Sequence, residues 1–269
     1  MYNFDEVVNR FGTDSVKWDL IKTNFQTDDI IPMWVADMDF KVLPEIRQAL
    51  EKRLGHEIYG YSCIGNDYLQ AVVDWMKNRH HWEIASDWIV TTPGVVSALA
   101  VAVNAFTAKG DAVIIQKPVY YPFDRVIEAN GRVIIENPTI FCDDHYEIDF
   151  EDFEKKIVEN NVKMYILCNP YNPIGKVWTY EELKRIGDIC KKHHVIVASD
   201  EIHHDFIYEG YKHIPFYEVD SSYKEFSIIC TAPSKTFNLA GMQTSNIIIA
   251  NEEMRQKFVD MKTASGVND

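Results

Sequence analysis

Residues 164–200 read Met164-Tyr165-Ile166-Leu167-Cys168, then Asn169-Pro170-Tyr171-Asn172-Pro173-Ile174-Gly175, a run of helical spacing from Tyr180 to His193, and Val195-Ile196-Val197-Ala198-Ser199-Asp200. Two short, continuously apolar, β-rich runs separated by a helix belong to a parallel sheet covered on both faces. The alternation extends outward in both directions. Upstream, Trp88–Thr92 precedes a helical Val95–Phe106, Ala112–Ile115 precedes a helical Phe123–Ala129, and Val133–Ile135 leads to a helical Phe150–Glu159. Downstream come Ser227–Cys230 and Asn246–Ile249. The expected fold is therefore α/β, a mostly parallel sheet with helices on both faces. Ligands of such sheets bind beyond the carboxyl ends of the strands, which is where chemistry is to be sought.

Before residue 85 the chain is dense in aromatic and charged residues. Pro44–Leu54 and Asp67–Arg79 follow helix spacing, and the segment between, Tyr59-Gly60-Tyr61-Ser62-Cys63-Ile64-Gly65, reads as a loop. The 269 residues are 46% hydrophobic and 25% charged, a globular balance that excludes a disordered or fibrous chain. Forty-one acidic against 27 basic residues give a net charge of −14, which opposes non-specific binding to nucleic acid or an anionic membrane. The five cysteines form no C-x-x-C pair, so a reducing compartment and no disulfide framework are expected. Met1–Asp5 has neither a basic nor an apolar signal region. The longest mostly apolar stretch, Val95–Phe106, is too short to span a bilayer. A soluble, cytoplasmic protein is the expectation.

Each strand end carries a feature with two readings. Pro93-Gly94-Val95-Val96 opens a helix whose free N–H groups suit an anion, although many strand-to-helix turns bind nothing. Tyr120 and Tyr121 offer a flat stacking surface or ordinary packing. The loop 169–175 fixes two amides between two prolines and a glycine, more specification than a plain connection needs. Asp200, at the end of a buried strand, requires a cation or hydrogen-bond donors. The adjacent His203, His204 and Asp205 raise a metal site, but their spacing fits no metal motif. Lys235, just past the next strand, is a nucleophile if desolvated and otherwise a surface lysine. There is no G-x-G-x-x-G, no P-loop and no G-x-S-x-G, which removes support for dinucleotide oxidoreductases, P-loop NTPases and α/β-hydrolases.

A phosphate seat, a stacking ring, an amide, a buried carboxylate and a lysine together are the requirements of pyridoxal 5′-phosphate (PLP). Asn169-Pro170-x-Asn172-Pro173-x-Gly175, Ser199-Asp200-Glu201 and Ser234-Lys235-Thr236-Phe237-Asn238-Leu239-Ala240-Gly241 resemble the fold-type I PLP enzymes of aminotransferase class I/II. Met33–Phe40, Tyr59-Gly60-Tyr61, Thr92–Val96, Asp200–His203 and Gly241–Ser245 are similar to the MalY/PatB-type cystathionine β-lyases, or cysteine-S-conjugate β-lyases.

The resemblance implies a PLP-dependent transferase-like large domain, residues 46–269, with residues 1–45 contributing to a small domain whose C-terminal part is absent. It implies that Lys235 binds PLP and acts as base, that Asp200 pairs with the pyridine nitrogen, and that Asn172 donates to the phenolic oxygen. Tyr120 would stack on the ring. Gly94 and the N–H groups of Val95 and Val96 would hold the phosphate, with Ser234 assisting. Tyr61 would reach the partner subunit's phosphate in a homodimer. His203 stands where many aminotransferases carry a tyrosine, Ala232 where a serine is common and Gln243 where an arginine is common. The His and Gln changes also occur among the β-lyases, so they favour α,β-elimination of a small amino-acid thioether over transamination. The alternatives are an aminotransferase of class I/II and a truncated, non-catalytic PLP-binding protein. No metal cofactor, nucleic acid or membrane partner is expected.

Overall fold

The computed structural model describes residues 2–27 and 29–267. Eight strands, β1 Ile89–Thr92, β2 Ala112–Lys117, β3 Val133–Cys142, β4 His145–Ile148, β5 Met164–Cys168, β6 Ile196–Asp200, β7 Ser227–Thr231 and β8 Ser245–Ile248, form one sheet in the order β1-β8-β7-β6-β5-β2-β3-β4. The helices are α1 Val16–Asp19, α2 Ile21–Phe25, α3 Pro44–Leu54, α4 Asn66–His80, α5 Val95–Phe106, α6 Pro122–Ala129, α7 Phe150–Glu159, α8 Tyr180–Lys192, α9 Phe216–Val219, α10 Pro233–Thr236 and α11 Glu252–Ala264.

Contacts divide the chain into two compact units, residues 1–61 with 233–243, and residues 62–232 with 244–269. The division falls after Tyr61, not at the expected 45/46. Helix α3 buries none of its side chains and so gives no wall to a core. Residues 233–243, expected within the large domain, belong with the first unit.

The second unit contains the whole sheet. Strands β7, β6, β5, β2 and β3 run parallel, whereas β8 is antiparallel to both β1 and β7, and β4 is antiparallel to β3. The mostly parallel α/β expectation holds. Every residue of β5 and β7 is buried, which requires cover on both faces of the sheet. One group of helices, α5, α6 and α11, packs together, and α7, α8 and α9 form another.

Local chemistry sets the helix boundaries. Helix α8 begins with a capping box in which Thr179 and Glu182 satisfy each other's backbone N–H groups. Asp149 and Asn251 cap α7 and α11, and prolines open α3 and α6. Strand β3 runs past the expected Ile135 to Cys142 and turns at Asp143-Asp144, both in left-handed backbone, into β4. Two residues with positive φ close a hairpin whose twist matches its strands.

The first unit is organised around Arg10 and Lys17. Arg10 donates to Asp37 and, at 2.6 Å, to Asp39, while the Lys17 ammonium lies 2.7 Å from the other oxygen of Asp39 and 3.0 Å from the Asp37 carbonyl. Trp18 adds an indole N–H to Asp39 at 2.8 Å. Partial burial disfavours the charged carboxylate, but the bonds from Lys17, Trp18 and Arg10 win and hold Asp39 down at about 2.

Candidate active site

The strand ends of the second unit carry most of the expected residues. At β1, Gly94 takes φ +124°, a conformation that favours glycine, and a Cβ there would meet open space. It leads into α5, where no side chain caps the first turn. The N–H groups of Gly94, Val95 and Val96 therefore have no intrahelical acceptor and lie at the positive end of a 12-residue helix. The side chain of Val95 is buried and that of Val96 exposed, which anchors the turn from one side only. Thr92 Oγ1 holds the turn through the Gly94 carbonyl at 3.1 Å and Ser245 Oγ at 2.7 Å.

At β5 and β6 the register places Cys168 opposite Asp200. The Asn169 N–H donates to the Asp200 carbonyl at 2.9 Å, so the loop 169–175 starts beside the carboxylate. Asn169 is fully buried and its amide donates to the Ile214 carbonyl at 3.2 Å. The Asn172 N–H reaches Cys168 Sγ at 3.3 Å, which folds the loop back on the strand end. Asn172 and His203 line one cleft of about 660 Å³ together with Tyr171, Tyr208 and Tyr211.

Asp200 is 5% exposed, and one of its oxygens accepts the Ile202 N–H at 3.1 Å. Its charge reaches groups at two other strands, β2 and β7. Burial first, and then the charges of Tyr121 and Asp200, push the Tyr120 hydroxyl above its ordinary value. The Cys230 thiol at β7 is raised by burial, then by Asp200 and Glu201. Tyr120 and Asp200 are thus within electrostatic reach of each other. Tyr120 is half-buried, with Tyr121 and Phe123 against its ring at 5.5 and 6.0 Å between centroids.

Beside Asp200 lies a hydrogen-bonded group whose distant partners, His80, His213 and Phe216, sequence reasoning missed. Glu201, almost fully buried, accepts from the Ser199 hydroxyl at 2.9 Å, the Phe216 N–H at 3.0 Å and His213 Nε2 at 2.9 Å. Asp205 bonds His80 at 2.9 Å, His204 at 3.1 Å and the Trp75 indole at 3.2 Å, with Arg79 at 3.7 Å. Within the segment 200–205, Glu201, His204 and Asp205 thus bond buried partners, whereas His203 lines the cleft with Asn172. Burial lowers the affinity of His204 for a proton despite Asp205. Among the described residues, His80, His204 and Asp205 could surround a metal ion. The Asp205 oxygens are already engaged by nitrogen donors, so the group stands as a hydrogen-bonded scaffold. The signal available was the His-His-Asp run itself; its partners His80 and His213 are distant in sequence.

In the first unit, α10 carries Ser234 and Lys235, both half-buried. Lys235 lines a cavity of about 540 Å³ with Arg10, Lys17, Asp37, Asp39 and Asn238. Tyr61 ends this unit with its side chain fully exposed.

The residues of the second unit fit PLP on two observations. The uncapped start of α5 offers backbone donors for a phosphate, and a buried carboxylate at β6 lies within electrostatic reach of an aromatic ring. The fold and these groups suit a planar, phosphate-bearing ligand at the carboxyl edge of the sheet. The aminotransferase class I and II family model matches residues 28–267, and the chain belongs to that family. It is 48% identical over 256 residues to the cystathionine beta-lyase PatB of Bacillus subtilis (strain 168), covering 95% of this chain and 66% of that protein. It is 34% identical over 260 residues to the protein MalY of Escherichia coli (strain K12), covering 96% of this chain and 66% of MalY. The crystal structure of cystalysin from Treponema denticola, which contains a pyridoxal 5′-phosphate cofactor, superposes with a TM-score of 0.96 at 42% identity, covering all of this chain and 69% of that one. The chain thus spans about two thirds of the length of the curated relatives it matches. No helix among the described residues is long and apolar enough to cross a membrane.

Proposed function

We propose that the protein is a PLP-dependent carbon–sulfur β-lyase. Its substrates are cystathionine or related L-cysteine S-conjugates, and its products are pyruvate, ammonia and a thiol. One observation carries this reading: a buried Asp200 at the carboxyl end of β6, in a chain 48% identical to a cystathionine beta-lyase.

When bound, PLP supplies the electron sink that loss of a Cα proton requires. Asp200 holds a proton on the ring nitrogen, since a buried carboxylate is stabilised by an adjacent cation. Tyr120 covers a ring face. Asn172 and His203 serve the phenolic oxygen, and the N–H groups of Gly94, Val95 and Val96 take the phosphate with the Ser234 hydroxyl. Lys235 would hold the cofactor at rest, and its Nζ would be the base that takes the Cα proton of the substrate. The net reaction would convert the thioether and one water into a thiol, ammonia and pyruvate.

The working enzyme is proposed to be a cytoplasmic homodimer. The five cysteines are free and three are buried, which suits a reducing compartment. Tyr61, Ile31 and Met33 are almost fully exposed in the first unit, as residues that meet a partner would be. Tyr61 is assigned to the neighbouring subunit's phosphate. The test is pyruvate release from cystathionine by PLP-loaded protein with no keto acid added. Release supports the lyase, and turnover that requires a keto acid replaces it with an aminotransferase.

A further inference from the structure

Helix α10, which carries Lys235, has only four residues, and a single turn is marginal on its own. Its exit is closed by backbone bonds from the Phe237 N–H to the Pro233 carbonyl at 3.0 Å and from the Leu239 N–H to the Ser234 carbonyl at 2.9 Å, with a longer one from the Asn238 N–H to the Lys235 carbonyl at 3.4 Å. The turn beyond it is fixed from outside. Asn238 takes left-handed backbone at φ +57°. Its side chain accepts the Met38 N–H at 2.9 Å and donates to the carbonyls of Met38 at 3.0 Å and Phe40 at 3.1 Å, 200 and 198 positions away. An amide that both accepts from and donates to the backbone of one residue copies the pairing of a β-ladder. The anchor is itself held. Met38 lies between Asp37 and Asp39, the two carboxylates bonded by Arg10, and Lys17 bonds Asp39 and the Asp37 carbonyl. Lys235, Asn238, Met38 and both carboxylates line the same cavity.

We propose that Asn238 is a positioning residue whose side-chain amide locks the turn after Lys235 onto the Met38–Phe40 backbone and so aims the Lys235 amine. The inference rests on Lys235 being the reactive lysine. Asparagine tolerates left-handed backbone better than most residues, and that alone would account for its presence. Asn238→Gly separates the two explanations, because glycine keeps the turn and deletes all three bonds. Asn238→Asp retains the acceptor for the Met38 N–H and loses both donations.

The experiment compares wild type, Asn238→Gly and Asn238→Asp in three readouts. These are hydrogen exchange at residues 36–40 and 233–243 without PLP, the pH midpoint of the visible absorbance band with PLP, and kcat and KM on cystathionine. A misaimed catalytic group costs on the order of 10- to 100-fold in rate. Asn238→Gly should therefore lower kcat by about that factor while KM moves less than ~3-fold. It should also shift the band's pH midpoint and speed exchange at Met38 and in 233–243, with Asn238→Asp intermediate. Wild-type exchange and an unmoved pH midpoint in Asn238→Gly overturn the proposal, whatever the activity. A wild-type chain that forms no covalent adduct on Lys235 refutes the functional reading instead, and the exchange result still decides whether the amide locks the turn.

Discussion

Asp200→Asn keeps the shape of the side chain and removes the charge that would hold a proton on the cofactor ring. Loss of a buried charge-stabilising group lowers kcat on the order of 100-fold or more, measured as pyruvate release from the PLP-loaded variant. Near-normal activity would exclude Asp200 from the pyridine role. Gly187 offers a purely structural contrast. It sits inside α8, where glycine is ordinarily unfavourable by about 1 kcal/mol relative to alanine. A Cβ there would lie 2.1 Å from Tyr223 Cζ. The Tyr223 ring is pinned by its hydroxyl to the Lys184 carbonyl at 2.8 Å and Asp188 at 2.9 Å, so it cannot yield cheaply. Gly187→Ala should destabilise the fold by about 1–3 kcal/mol in chemical denaturation, the usual range for overpacking. At this scale the sequence exposes the groups that end strands: Asn172, Asp200 and Lys235 each follow an apolar run. It hides those whose meaning is a partner, as with Glu201 and His213, or Asn238 and Met38, because local spacing carries no information about long-range pairing.

Helices and strands with strong periodicity are where reading and structure agree. Pro44–Leu54, Val95–Phe106, Phe150–Glu159 and Met164–Cys168 match residue for residue. The hairpin of β3 and β4 leaves no such mark. Asn137-Pro138 interrupts the apolar run, yet Pro138 is tolerated in the strand opposite Lys117, and the turn rests on Asp143 and Asp144 in place of the usual glycine. Helices α1 and α2 are too short for any periodicity to mark. The segment around Asp39 makes a prediction at this scale. A carboxylate held at about 2 in the fold and near 4 when unfolded adds stability that is complete above about pH 4 and lost as pH falls to about 2. Limited proteolysis of residues 1–61 across that interval should show the arm loosening, and Asp39→Asn should be loose already at neutral pH. An arm equally resistant at pH 2 and pH 5 would remove Asp39 as its anchor.

The whole molecule combines a net charge of −14 with a buried histidine that resists protonation. His204 binds a proton more weakly folded than unfolded, so the unfolded chain takes up the extra proton below about pH 6.5 and stability falls as pH drops through that value. His204→Gln should flatten the thermal-melting profile between about pH 7 and pH 5, whereas an unchanged slope would assign it to other groups. The α/β architecture is legible because buried parallel strands are continuous apolar runs. The division after Tyr61 is not, because residues 233–243 join the first unit through contacts nearly 200 positions away. One amine underlies the whole functional assignment. Borohydride reduction of the PLP-loaded protein followed by peptide mapping should place a pyridoxyl group on Lys235. A pyridoxyl group on any other lysine, or on none, would contradict it.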